Sequence, residues 1–267
     1  MLWDTHMHSA FSGDSDTEPE LMVQSAINKH LDGICFTDHF DYDYPNEPDE
    51  FLLDFPAYQH KISELQEKYA KTLPIHFGVE LGLQPHLSDM HQELVQKYPF
   101  DFIIGSSHVV HGMDPYYPGF FDHRKEEEGY LEYFESVLEN INAFSDFDVY
   151  GHIDYVVRYG PNQNKYYSYQ KYSDIIDEIL KKLISLGKGI ELNTGGFKYG
   201  LGHPNPCEDI LKRYHELGGE ILTLGADAHK PEHVAYDFDK IPDILKTCGF
   251  SYYTVFKERK PVFLPIP

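Results

Sequence analysis

Short apolar runs alternate with amphipathic stretches along nearly the whole of this 267-residue chain, and no other feature restricts its fold as tightly. Strands are expected around residues 2–4, 33–37, 75–79, 102–107, 149–151, 190–193, 221–225 and 252–255. Helices are expected between them, over about 17–31, 57–71, 89–98, 126–144, 172–186, 208–217 and 241–248. The plainest helix is 172–186, where Ile175, Ile176, Ile179, Leu180, Leu183 and Ile184 recur at spacings of three and four. Thr17-Glu18-Pro19-Glu20 reads as the opening of 17–31, with Leu21, Ala26, Ile27 and Leu31 as its buried stripe. In 126–144 the corresponding stripe is Leu131, Phe134, Leu138 and Ile141, and Gly218-Gly219 stops the helix before 221. The run 33–37 is almost continuously apolar, the pattern of a strand buried on both faces. Strand–helix alternation implies a parallel sheet, and closure into one β/α barrel accounts for a chain of this length. With no linker-like shift in composition, a single domain over 1–267 is expected.

Composition bounds the partners. The chain is 41% hydrophobic and 25% charged, and its 21 Tyr and 18 Phe can fill a large core. A formal charge of -22 repels long nucleic acids and anionic lipid. Acidic clusters also attract cations, and three divalent ions would shift the balance by about +6. Cys35, Cys207 and Cys248 are far apart in sequence and lack C-x-x-C spacing, so reduced core residues are expected. No basic segment followed by an apolar run opens the chain, and no stretch approaches the roughly 18 apolar residues of a membrane span. The cytoplasm is the expected location, and the sequence leaves the oligomeric state open.

The chemistry-bearing residues fall at one kind of place. His6 and His8, His39, Glu80, His108, His152, and Asp227 with His229 all lie at or just after the C-terminal end of an expected strand. On an extended strand His6 and His8 share a face, about 7 Å apart, which suits two ligands on one ion. Strand ends of a β/α barrel converge on one mouth, so residues from 6 to 229 would become neighbours there. Histidines elsewhere act as a control: His30, His60, His91 and His215 are expected in helices, where an ordinary solvated or packed role suffices. Imidazoles with carboxylates suit zinc, manganese or iron, while the cysteine positions exclude a thiolate site.

Six motifs, His6-x-His8, Thr37-Asp38-His39, Gly78-Val79-Glu80, Ser107-His108, Gly151-His152-Ile153-Asp154 and Asp227-Ala228-His229, resemble in order and spacing those of the polymerase and histidinol phosphatase (PHP) family. The resemblance spans nearly the whole chain and implies a distorted (β/α)7 TIM-like barrel with two or three divalent metal ions. The segment 252–255 would then lie outside the barrel. It further implies one ion on His6, His8, Glu80 and Asp227, with Glu80 bridging to a second on His108 and His152. A third would use His39, His229 and a residue six positions after His8, where many members carry His and this chain has Asp14; Asp16 is the alternative, and Asp14 is equally a turn residue.

Such a cluster polarises phosphoryl oxygens and acidifies a shared water for in-line attack, so neither a serine nor a cysteine nucleophile is required. Glu80, Asp227 and His229 are the candidates for catalytic roles. Arg158 and Lys198 lie on loops after expected strands, and basic residues in these loops are expected to bind phosphate in the phosphatase branch. Loops 40–55 and 109–124 are rich in Tyr, Asp, His and Pro and could close a partly acidic pocket. The expected activity is hydrolysis of a small phosphate monoester, L-histidinol phosphate in histidine biosynthesis, releasing inorganic phosphate. Alternatives are a phosphoesterase acting on phosphotyrosine or on nucleotide or oligonucleotide ends, and a metal-binding barrel without turnover.

Overall fold

The computed structural model describes residues 2–45 and 47–267. Its centre is a parallel sheet built from β1 (Trp3–Asp4), β2 (Gly33–Phe36), β4 (Ile75–Gly82), β5 (Phe102–Ser106), β6 (Val149–Tyr150), β7 (Gly189–Asn193) and β8 (Leu222–Gly225), in that spatial order. A further two-residue strand, β3 (His39–Phe40), continues the path of β2 along β4: Phe36 pairs with Phe77, and His39 with Glu80. Past β8 the sheet returns to β1, because Thr5 N–H donates to Leu224 O (2.8 Å) and His8 N–H to Ala228 O (2.8 Å). Seven strand paths thus make a nearly closed, distorted (β/α)7 barrel, the fold that the resemblance implies.

Helices α1 (Pro19–Asn28), α2 (Phe55–Tyr69), α3 (Ser88–Lys97), α4 (Glu126–Ala143), α5 (Ser173–Ser185), α6 (Gly195–Lys198), α7 (Glu208–Glu216) and α8 (Ile241–Cys248) connect the strands. Two buried stripes differ from the sequence expectation. In α1 the buried residues are Pro19, Met22, Val23 and Ala26, while Leu21 is 47% exposed. Both sets have helical spacing, and contact with the barrel selects the face that begins at Pro19. Thr17 does not cap this helix, since its hydroxyl donates to His229 O (3.0 Å). In α4, Tyr130, Tyr133, Phe134, Val137 and Ile141 are buried and Leu131 is exposed. The tyrosines reach the core because their tips find acceptors: Tyr133 Oη donates to Ser107 O (3.2 Å) and Tyr130 Oη to Gln163 O (2.9 Å). His30 lies just beyond α1 rather than in a helix, at φ 59°.

The segment near 252–255 is not an eighth barrel strand. It forms β9 (Tyr252–Lys257), which pairs antiparallel with β10 (Lys260–Pro265) in a separate hairpin. Phe256 stacks on Phe102 (5.3 Å) and packs with Cys35, Ile104 and Val149 at the N-terminal ends of the strands. The opposite, C-terminal ends remain clear for the histidine-bearing loops. All three cysteines are free, as expected, although Cys207 is only partly buried. Among the described residues, no helix is long and apolar enough to cross a membrane.

Candidate metal centre

At the C-terminal mouth Glu80 stands at the focus of five imidazoles. Its Oε2 lies 3.1 Å from His6 Nε2, 3.4 Å from His8 Nε2 and 3.1 Å from His39 Nδ1. Its Oε1 lies 2.9 Å from His152 Nε2 and 3.4 Å from His108 Nε2, and accepts from Ser106 Oγ (2.6 Å). Asp227 closes the first group, with Oδ1 3.5 Å from His8 Nε2 and 3.8 Å from His6 Nε2. Across the mouth, Asp14 Oδ2 is 2.9 Å from His229 Nε2 and 3.8 Å from His39 Nε2, whereas Asp16 is absent from the cavity wall. His8 stacks on the rings of both His39 (4.1 Å) and His229 (4.2 Å), so it is within reach of both groups.

These contacts suit cations better than hydrogen bonds. His39 Nδ1 and His229 Nε2 have carboxylate oxygens within 3.1 Å, yet the N–H directions miss them and both atoms lack a hydrogen-bond partner. His6 Nε2 and His8 Nε2 face each other at 3.1 Å, so only one can carry the proton. Donor atoms gathered around shared spaces, nitrogen and oxygen only, fit a first-row ion such as zinc, manganese or iron.

The electrostatics are mutual. Burial pushes the Glu80 carboxyl pKa up, but the neighbouring His6, His39 and His108 outweigh it and hold Glu80 well below the usual carboxylate range. Burial likewise opposes ionisation of Asp227, and Arg158 beside it reverses the balance. For His6, burial is overcome by Glu191 and Glu80, and for His108 by Asp41 and Glu80, so both imidazoles rise well above their ordinary value. His8 falls well below it, through burial and then repulsion from His39 and His229.

Two buried carboxylates that the sequence reading passed over hold the histidines from behind. Glu191 Oε1 meets His6 Nδ1 at 2.6 Å, and Asp41 Oδ1 meets His108 Nδ1 at 2.7 Å. Each leaves the Nε2 of its histidine facing Glu80. Glycines make room for them: a Cβ on Gly225 would sit 2.2 Å from Glu191 Oε1, and one on Gly82 would sit 1.9 Å from Asp41 Oδ1. A signal for Glu191 was present, since an acid inside the apolar run Ile190-Glu191-Leu192 is unusual unless partnered. Asp41, on a loop among other acids, carried none.

The family model for the PHP domain matches residues 4–195. The chain belongs to the PHP family. It is 32% identical over 261 residues to a histidinol-phosphatase of Lactococcus lactis subsp. lactis, across 96% of this chain and 95% of that protein. A Clostridium acetobutylicum protein named "Probable histidinol-phosphatase" is 31% identical, across 97% of this chain and 98% of that one. The crystal structure of the Lactococcus lactis histidinol phosphate phosphatase, complexed with zinc, L-histidinol and phosphate, matches with a TM-score of 0.91 at 32% identity and covers 98% of both chains.

Of the two basic residues expected at this PHP site, only Arg158 lines the cavity, which has a volume of about 410 Å³. Arg158 is buried, and it donates through Nη1 to Asp227 (2.7 Å), through Nε to Asn205 (2.8 Å) and through Nη2 to Asn193 (3.2 Å). Three of its five N–H groups are thereby engaged and two remain. Lys198 is not on the cavity wall; its ammonium donates to the backbone carbonyl of Asp227 (2.8 Å).

Proposed function

We propose that this chain is a metal-dependent histidinol-phosphatase, hydrolysing L-histidinol phosphate to L-histidinol and inorganic phosphate in histidine biosynthesis, with residues 1–267 acting as one domain. The observation that carries the reading is Glu80 ringed by five imidazoles at the barrel mouth, in a chain that matches histidinol-phosphatases along nearly its full length.

His6, His8, Glu80 and Asp227 would hold one ion, and Glu80, His108 and His152 a second. His39, His229 and Asp14 would hold a third, with Asp14 favoured over Asp16 by its contact with His229. Zinc, manganese and iron all suit these donors, and ions so held polarise phosphoryl oxygens and lower the pKa of a water. Among the described residues, no Ser or Cys lines the cavity, which agrees with direct attack by water. Arg158 is assigned to the phosphate through its two remaining N–H groups, held in orientation by Asn193, Asn205 and Asp227. Lys198 adds positive charge near Asp227 and helps draw in the dianion. Asp227 and His229 stand on the cavity wall, and Asp227, held as the carboxylate by Arg158, is a group able to take the proton of the attacking water. Wall tyrosines 44, 116, 117, 155, 159 and 199 limit the water around the reacting phosphorus.

Phosphate release by zinc- or manganese-loaded protein from L-histidinol phosphate, a nucleoside monophosphate and phosphotyrosine tests the reading. L-histidinol phosphate is expected to be turned over fastest. Faster release from either other ester would move the assignment to that substrate, and metal bound in stoichiometric amounts without any turnover would leave a non-catalytic barrel.

A further inference from the structure

Two acids on the cavity wall take no part in the histidine cluster, the exposed Glu50 and the buried Asp114. Asp114 is 4% exposed, and among the described residues it has no Lys, Arg or His within ion-pair distance. Its Oδ2 accepts from Tyr44 Oη (2.7 Å), and its Oδ1 accepts from Tyr116 N–H (2.7 Å) and Tyr155 Oη (3.4 Å). A carboxylate offers about four lone-pair positions, so one is left for a ligand.

Its backbone is well held. Just before it, Val110 and Met113 exchange backbone hydrogen bonds (2.7 and 3.0 Å) around His111 and Gly112, both at positive φ (48° and 83°), which is a tight two-residue hairpin turn. Asp114 directly follows this turn.

Tyr155 relates Asp114 to the chemistry. Its ring lies 5.4 Å from that of His108, 5.2 Å from that of His152 and 5.5 Å from the Arg158 guanidinium, while its hydroxyl reaches Asp114. A phosphate held at His108, His152 and Arg158 and a group held at Asp114 would thus be separated by one tyrosine side chain. Among the described residues, Arg158 is the one Lys or Arg on this wall, so the phosphate end carries the positive charge and the far end carries Asp114 amid Tyr44, Tyr116 and Tyr117. An anionic or neutral leaving group would gain little there, whereas an ammonium would gain a charge-assisted hydrogen bond and aromatic faces.

We propose that Asp114 is the specificity-determining residue that receives the protonated amine of the leaving group, selecting aminoalkyl phosphate monoesters. The proposal rests on the phosphatase reading and names the half of the site that recognises the alcohol.

The test compares wild type with Asp114→Asn, both full-length and zinc-loaded, on L-histidinol phosphate and on p-nitrophenyl phosphate, which has no cation. Asp114→Asn is expected to lose about 10–100-fold in kcat/KM on the first, mainly through KM, and to stay within about threefold on the second. Equal losses on both substrates, or none on either, would overturn the proposal and leave turnover by wild type as support for the phosphatase reading. Calorimetric titration with L-histidinol decides the matter apart from turnover. A roughly 10–100-fold weaker Kd in the variant supports the amine site even if no phosphoester is cleaved, and an unchanged Kd rejects it. Should the variant fail to fold, wild type should prefer L-histidinol phosphate to its N-acetyl derivative by a similar factor, and equal rates would reject the proposal.

Discussion

The two ends of the barrel are built on opposite principles. At the N-terminal end Phe256 fills the space among Cys35, Phe102, Ile104 and Val149, and the rim charges find partners within the chain. Arg259 donates to Asp148 (2.6 Å) and Asp146 (3.1 Å), and Asp101 accepts the backbone N–H of Glu258 (3.0 Å). At the C-terminal end His6, His8, Glu80 and Asp227 are just as buried, yet they crowd together with His39, Asp41, His152 and His229, each of which has a buried polar atom without a hydrogen-bond partner. One end is filled mainly by apolar side chains, with His76 Nδ1 left without a hydrogen-bond partner. The other is completed by cations, because buried charge is stable only when it is paired. Burial alone therefore does not separate core from site; what separates them is the convergence of many histidine and carboxylate atoms on shared spaces.

The sharpest way to break this contrast is Glu80→Gln, which keeps the shape and removes the shared charge. Phosphate release should fall by about 10³-fold or more, roughly 4 kcal/mol of barrier, and bound metal should fall by more than one ion per chain. Near-normal activity, or full metal content by elemental analysis, would refute the bridging assignment. Next in size is Phe256→Ala at the opposite end, expected to cost about 3–5 kcal/mol in denaturant unfolding and to leave kcat/KM of the folded fraction unchanged. A loss of activity without a loss of stability would show that the two ends are not independent. The smallest effect is expected for Glu191→Gln, which should weaken zinc binding by about 10–100-fold through misorientation of His6. An unchanged zinc affinity would make Glu191 a purely structural acid.

Much of the site was legible because apolar runs end abruptly in ligand-type residues, and strand direction in an α/β barrel is enough to send such ends to one face. That logic reached His6, His8, His39, Glu80, His108, His152, Asp227 and His229, and the structure brings all eight to one mouth. It did not reach Asp41 or Glu191, whose role lies in a contact with a histidine 67 or 185 residues away. Nor did spacing alone distinguish Leu21 from Met22 and Val23 in α1, since a short helix offers two plausible stripes and only the barrel surface selects one.

The sequence by itself determined the alternation of strands and helices, the family, and the types of donor placed at the strand ends, because periodicity and residue chemistry are local properties. Only the tertiary structure decided that β9 leaves the barrel to cover its far end, that Asp41 and Glu191 hold the histidines, that Lys198 turns to a backbone carbonyl, and that Asp114 faces the cavity without a cation. Each of these depends on which side chains meet across long separations in sequence, and such meetings are settled by packing and by the pairing of buried charge.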